Sequence, residues 1–142
     1  RDDVESRGLG DVYKRQEGIL QQAKENGTGF IAFSPLAQGL LTNRYLNGIP
    51  DDSRIAKGGF LKKEALTDET LKKIKALNEV ATQRGQTLAE MALAWLLKDD
   101  MVTSVIIGAS SVAQLDDNLQ SIKNTKFTAE ELEKINQIDN LK

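Results

Sequence analysis

Two short continuous apolar runs, Phe30-Ile31-Ala32-Phe33 and Val102 to Ile107, constrain the fold of this chain more than any other feature. Runs of this length, rich in β-branched and aromatic residues, read as strands buried on both faces, as in parallel sheets covered by helices. The stretch between them carries helical periodicity, which a crossover between parallel strands requires. Two strands alone do not make a stable sheet, so the pattern predicts partner strands upstream of this sequence. Both runs also end alike. Ser34-Pro35-Leu36-Ala37-Gln38-Gly39 follows the first and Gly108-Ala109-Ser110-Ser111 the second. Small residues, hydroxyls and backbone donors at strand ends are where α/β proteins hold phosphorylated ligands.

Around these runs the pattern is helical. Residues 17–25 place Ile19, Leu20 and Ala23 together and stop at Asn26-Gly27, where glycine takes the left-handed position. Residues 37–66 mix Gly39, Gly48, Pro50, Gly58 and Gly59 with polar groups and read as a long functional loop, too irregular for helix or strand. Asp68 to Arg84 repeats Leu71, Ile74, Leu77 or Asn78, and Ala81 on one face, with Gly85 as the stop. Thr87 and Glu90 form a capping box for a helix to Lys98, with Leu88, Met91, Ala92, Trp95 and Leu96 at core spacing. Ser111 with Gln114 predicts another box, opening a helix through about Ile122. Thr128 with Glu131, flanked by Phe127 and Leu132 as a hydrophobic staple, opens a last one to about Leu141. A (β/α)8 barrel needs roughly 250 residues and commonly builds a phosphate site from the loops after strands 7 and 8. The predicted fold class is therefore α/β: the C-terminal part of a (β/α)8 barrel, strands 7 and 8 with their helices and the C-terminal helix, in an incomplete barrel.

Residues 1–16 stand apart. They begin with Arg1 instead of Met, mix charges and glycines without an apolar period, and abut a clear helical pattern. Gly10-Asp11-Val12-Tyr13-Lys14-Arg15-Gln16 reads as translated adaptor or vector sequence, with a natural loop of a truncated domain as the alternative. Residues 17–142 carry the fold.

Composition removes most familiar chemistries. With no cysteine and no histidine, the chain offers no thiol nucleophile, no histidine base or triad, and no thiolate or histidine metal site. A net charge of −2 argues against nucleic acid or an anionic membrane as partner. The apolar run Met91 to Leu97 falls far short of the roughly 20 residues that span a bilayer. No signal-peptide pattern opens the chain, so the expected location is the cytoplasm.

The string Phe30-Ile-Ala-Phe-Ser-Pro-Leu-Ala-Gln-Gly-Leu-Leu-Thr42 is followed by Arg44-Tyr45-Leu46, Gly48-Ile49-Pro50 and Ser53-Arg54. Later come Ala92-Leu93-Ala94-Trp95-Leu96, Ser104-Val-Ile-Ile-Gly-Ala-Ser-Ser111, Gln114-Leu115 and Asn118. In this order the motifs resemble the C-terminal part of an aldo-keto reductase, from about Glu17 to Asn140, and most of all the branch of L-glyceraldehyde 3-phosphate reductases and potassium-channel β-subunits. The resemblance implies a barrel that binds NADPH and transfers hydride to a small carbonyl substrate. Its catalytic Asp, Tyr, Lys and His belong to the barrel's first half, the missing partner of this chain. Tyr13 and Tyr45 are not the catalytic tyrosine, and no catalytic residue is expected here.

The same resemblance assigns cofactor contacts. Phe33 would flank the nicotinamide, although from sequence alone it is equally a core residue. The turn Ser34, Pro35, Leu36, Ala37, Gln38 and Gly39 would meet the pyrophosphate through backbone N–H groups, with an ordinary strand-exit turn as the plain alternative. Gly108 and Ser110 would approach the adenosine phosphate, where a helix N-terminus favours an anion. Gln114, Asp117 and Asn118 would face adenine and ribose. Related reductases of other branches grip the 2′-phosphate with a basic residue near Gln114, but no Lys or Arg occurs between Lys98 and Lys123. Charge for that phosphate would come from Arg54, or from Arg44, in the glycine-bracketed loop. Three functions stay open: a carbonyl reductase whose catalytic half lies outside this sequence, a nucleotide-sensing regulatory subunit, and a non-reductase barrel holding another phosphorylated ligand. The order Gly48-Ile-Pro-Asp-Asp-Ser-Arg54 and Leu97-Lys98-Asp99-Asp100 resemble the bacterial reductases, which ranks the enzyme first.

Overall fold

The two apolar runs pair with each other. In the computed structural model, which describes residues 18–51, 53, 55, 56, 58 and 66–141, β1 (Ile31–Phe33) and β2 (Ser104–Ile106) form a parallel two-stranded sheet. Its register is Ile31 with Ser104, Ala32 with Val105, and Phe33 with Ile106. Thr103 sets the entry to the ladder: its amide donates to the Phe30 carbonyl (2.9 Å) and its Oγ1 accepts from the Phe30 amide (3.0 Å). Gly29 packs closely here: a Cβ would lie 3.2 Å from Thr103 Oγ1, so a side chain would require Thr103 to give by a few tenths of an ångström. The expected adaptor segment 1–16, with Tyr13, lies outside the described residues, as does Arg54.

Among the described residues the sheet is accompanied by five α-helices. Residues 18–25 form α1, closed by Gly27 at φ 64° and by the Thr28 amide donating back to the Ala23 carbonyl (2.8 Å). The helix α2 (Asp68–Gln83) is capped by the Thr67 side chain and stopped by Gly85 at φ 69°. The capping box at Thr87 and Glu90 forms as predicted and opens α3 (Leu88–Leu96). Helices α4 (Val112–Gln120) and α5 (Ala129–Asp139) follow, the second with the predicted Thr128–Glu131 box complete. Helix α2 packs on α3 and α5, and α3 packs on α4. The main core gathers Ile74, Val80, Ala81, Leu88 and Met91, with Leu77, Phe127, Ile135 and Ile138 against them.

Three expectations change. First, the strands are not buried on both faces: Phe33 is 79% and Ile106 60% exposed, and Ile31 is exposed as well, whereas Ala32 and Val105 are half-buried. Side chains alternate across a sheet, and among the described residues one face of this sheet has no cover. Second, the stretch 37–66 is not wholly irregular. It contains 3-10 turns at Ala37–Gly39 and Asn43–Tyr45 and a small core of its own, where Tyr45, 1% exposed, packs with Ile55, Leu40, Ile49 and Leu66. Third, α3 buries Ala89, Leu93 and Ala94 as well as Leu88 and Met91, leaving Ala92, Trp95 and Leu96 half-buried. It is enclosed on more than one side, so a single-face pattern underestimates its core. Lys73 joins α2 to α5: its Nζ pairs with Glu69 (3.0 Å) and donates to the Asp139 carbonyl at the end of α5 (3.0 Å), where a helix presents unpaired carbonyls and the negative end of its dipole.

Candidate functional site

Parallel pairing with Phe33 opposite Ile106 makes both strands leave the sheet at the same end. Strands in a sheet lie about 4.8 Å apart. Ser34 and Ile107 therefore start neighbouring loops, and the two motif segments, distant in sequence, come side by side. This is the carboxyl end of the strands, where α/β folds place their ligands.

The first loop is held in unusual backbone geometry. Ser34, Ala37 and Gln38 have φ of 53°, 46° and 59°, and Gly39 has 103°. A left-handed conformation at a residue with a Cβ costs on the order of 1 kcal/mol or more and persists where surrounding structure imposes it. The turn imposes it through its own hydrogen bonds: the amides of Ala37, Gly39, Leu40 and Leu41 donate to the carbonyls of Ser34, Leu36, Ala37 and Leu36. Thr42 continues the path, its Oγ1 donating to the Gly39 carbonyl (2.7 Å) and accepting from the Arg44 amide (3.2 Å). Behind it, Tyr45 fills the loop's core and fixes its seat. Two of the amides that sequence reading offered to a phosphate, those of Ala37 and Gly39, thus serve the turn itself.

In the second loop Ser111 caps α4 by accepting from the Gln114 amide (3.2 Å). The expected capping box is only half formed. Gln114 Oε1 reaches past the Ser111 amide and accepts instead from the Ser110 amide (2.8 Å) and the Ser110 hydroxyl (2.9 Å). Asp117 Oδ2 accepts from Thr87 Oγ1 at the start of α3 (3.2 Å). Asn118 is 6% exposed, and its carbonyl accepts from Ser121 Oγ (2.6 Å). Of the expected contact residues, Phe33, Ser34, Gly108 and Ser110 gather at the strand ends. Asp117 is tied to α3, and Asn118 is buried.

The electrostatics of the two exits are simple. No acidic residue lies between Asn26 and Pro50 or between Met101 and Leu115, and Arg44 is in the first of these segments. Neither exit segment therefore sets a carboxylate of its own against an anion; the first acids of the long loop are Asp51 and Asp52, further on. At the α3–α4 contact, burial, with help from the adjoining Asp117 carboxylate, raises the Glu90 carboxyl above the usual glutamate range. Among the described residues no group of carboxylates is arranged to hold a metal ion, and no helix is long and apolar enough to cross a membrane.

Sequence reading missed the residue that joins the helices behind the site. The Arg84 side chain, 2% exposed, pairs with Glu131 (2.5 Å). It also donates to the carbonyls of Asn124 (3.2 Å) and Lys126 (3.0 Å) and to Gln86 Oε1 (2.9 Å). Its guanidinium lies 3.7 Å from the centre of the Phe127 ring. Locally it is only the last residue before a glycine stop, and nothing in that pattern signals a partner 47 residues away. It thereby ties the linker between α4 and α5 to the end of α2.

With this geometry in view, comparison with known proteins is specific. The model of the aldo/keto reductase family matches residues 11–140. L-glyceraldehyde 3-phosphate reductase from Escherichia coli K12 is 52% identical over 126 residues, covering 86% of this chain and 36% of the relative; the protein of that name from strain O157:H7 gives the same figures. A probable voltage-gated potassium channel subunit beta from Arabidopsis thaliana is 36% identical over 113 residues, covering 78% of this chain and 34% of the relative. The chain thus spans about a third of the length of the curated relatives it matches.

Proposed function

Since this chain belongs to the aldo/keto reductase family, we propose that it is the cofactor-binding C-terminal part of an NADP(H)-dependent carbonyl reductase, contributing strands 7 and 8 of a (β/α)8 barrel. The observation that carries this reading is the register of β1 and β2, because it brings the Ser34–Gly39 and Gly108–Ser111 exits together at one end of the sheet. The 52% identity to L-glyceraldehyde 3-phosphate reductase favours a small, L-glyceraldehyde 3-phosphate-like aldehyde or ketone as substrate, and ranks an enzyme above a channel-type regulatory subunit, represented at 36%.

The residues present suit a dinucleotide. Two exit segments without acidic residues, 27–50 and 102–115, leave a shared strand end, so its phosphates meet helix and turn dipoles with no carboxylate from those segments. Bound there, NADPH supplies the hydride for carbonyl reduction. Phe33, exposed on the open face of the sheet at the strand's last position, offers a flat apolar surface for the nicotinamide. Ser34 to Gly39 form the rigid turn beside the pyrophosphate, Arg44 and Arg54 serve the 2′-phosphate, and α4 carries the adenosine end. The proton that completes alcohol formation comes from residues outside this chain.

Two measurements test the proposal. The full-length protein binds NADPH and oxidises it in the presence of small aldehydes, whereas the 142-residue chain shows no turnover above a buffer blank, for want of a positioned proton donor. Turnover by the chain alone, or no NADPH binding by the full-length protein, contradicts it.

A further inference from the structure

Two asparagines of this chain, Asn26 and Asn47, are followed by glycine. In such a pair no Cβ shields the following amide nitrogen, and glycine lets the backbone turn until that nitrogen reaches the asparagine side-chain carbonyl. Both pairs are exposed, but their backbones differ. Asn26 closes α1 within a set of bonds: its own amide donates to the Gln22 carbonyl (3.0 Å), the Gly27 amide to Lys24 (3.1 Å) and the Thr28 amide to Ala23 (2.8 Å). Bringing the Gly27 nitrogen to the Asn26 side chain would undo that helix stop. Asn47 follows the 3-10 turn Asn43–Tyr45, and the Gly48 amide is held by one longer bond, to the Tyr45 carbonyl (3.3 Å). Gly48 has φ 113°, and beyond its chain neighbours no atom lies within 4 Å of where a Cβ would be. A ring can close on this nitrogen without displacing a packed side chain.

We propose that the Asn47-Gly48 pair is a site of spontaneous deamidation, and that its conversion lowers the affinity of the loop for the 2′-phosphate of NADPH. The Gly48 amide nitrogen gives up its proton and bonds to Asn47 Cγ; the Cγ–Nδ2 bond breaks, and ammonia leaves with that proton, giving a succinimide. Water then opens the ring at either carbonyl, and position 47 becomes aspartyl or isoaspartyl with nothing oxidised or reduced. A neutral amide is thus exchanged for a carboxylate in segment 27–50, which has no acidic residue of its own, three residues after Arg44. At the rise of about 2 Å per residue of a 3-10 turn this is about 6 Å along the chain, inside the roughly 8 Å Debye length of physiological salt. The chemistry stands on the loop alone; its effect on NADPH rests on the cofactor reading above.

The test ages the full-length protein at mildly alkaline pH and maps its peptides by mass. The peptide holding Asn47 gains one mass unit and isoaspartate several-fold faster than the peptide holding Asn26, and Asn47→Gln, which would need a larger ring, does not convert at this position. Conversion of Asn26 at an equal or faster rate, or of neither, overturns the site. Asn47→Asp reproduces the aspartyl product and weakens NADPH about threefold at low salt, less at high salt, with a smaller change for NADH. Unchanged NADPH affinity, or equal losses for both dinucleotides, overturns the action on the 2′-phosphate. A wild-type protein that binds neither dinucleotide overturns the cofactor reading itself, while the mass map still decides the chemistry.

Discussion

Replacing Arg84 by methionine keeps most of the side-chain volume and removes the guanidinium donors that join the end of α2 to the 124–131 segment. The wild-type guanidinium is 2% exposed and pairs with a Glu131 carboxylate that is 27% exposed. Removing one partner of a buried ion pair costs about 3–5 kcal/mol because the other charge is left without compensation. Glu131 keeps some water and still accepts from the Thr128 amide (2.8 Å), so the lower end, about 3 kcal/mol, applies. Urea unfolding followed by the fluorescence of Trp95, the single tryptophan, reads the change. Dilute protein and a fixed sucrose concentration favour the folded state in every variant alike. With a slope of about 2 kcal/mol per molar urea, the midpoint falls by about 1.5 M. Adding Glu131→Gln to Arg84→Met loses much less than the sum of the two single effects, with a coupling of about 1.5–3 kcal/mol. A midpoint within about 0.3 M of wild type, or additive single effects, refutes the claim that this pair joins the helices.

Three further outcomes follow from particular groups. A raised folded-state pKa makes a carboxyl's contribution most favourable in acid and lost as pH rises through it. Glu90→Gln keeps an acceptor for the Thr87 amide, so it is more stable than wild type at neutral pH and converges with it below the usual glutamate range; a pH-independent difference in urea midpoint contradicts this. The open sheet face at Ile31, Phe33 and Ile106 and the α4 stripe of Val112, Leu115, Leu119 and Ile122 make the isolated chain self-associate, and sedimentation showing only 15.6 kDa monomer at every concentration argues the opposite. In the full-length protein Arg54→Ala weakens NADPH binding roughly ten- to a hundredfold and NADH binding far less; equal losses remove Arg54 from the 2′-phosphate.

Local signals carried far in this chain, and they stopped where pairing is long-range. Thr87 with Glu90, Thr128 with Glu131, and the stops at Gly27 and Gly85 were legible because caps involve residues within one turn of each other. Both strands were legible as apolar runs, and their adjacency followed from helices between them. Exposure of Phe33 and Ile106 was not, since an apolar run records what a strand is suited to contact and not which neighbours accompany it. The candidate site divides the same way. Its two loops could be read from glycines and hydroxyls at strand ends, but the left-handed Ser34, Ala37 and Gln38 carry no glycine to announce them. Gln114, Asp117 and Asn118 looked like ligand contacts on α4, yet Gln114 turns to Ser110 and Asp117 to Thr87, and Asn118 is buried. Polar residues at helical spacing do not state whether they face a ligand or the next helix.

The central claim, that both strand exits form one NADP(H) site, is tested most directly by amide hydrogen exchange of the full-length protein with and without saturating NADPH. Exchange slows in two separate segments at once, 34–41 and 108–114, with α5 unaffected. Slowing in only one of these segments, or in neither while NADPH is bound, contradicts it.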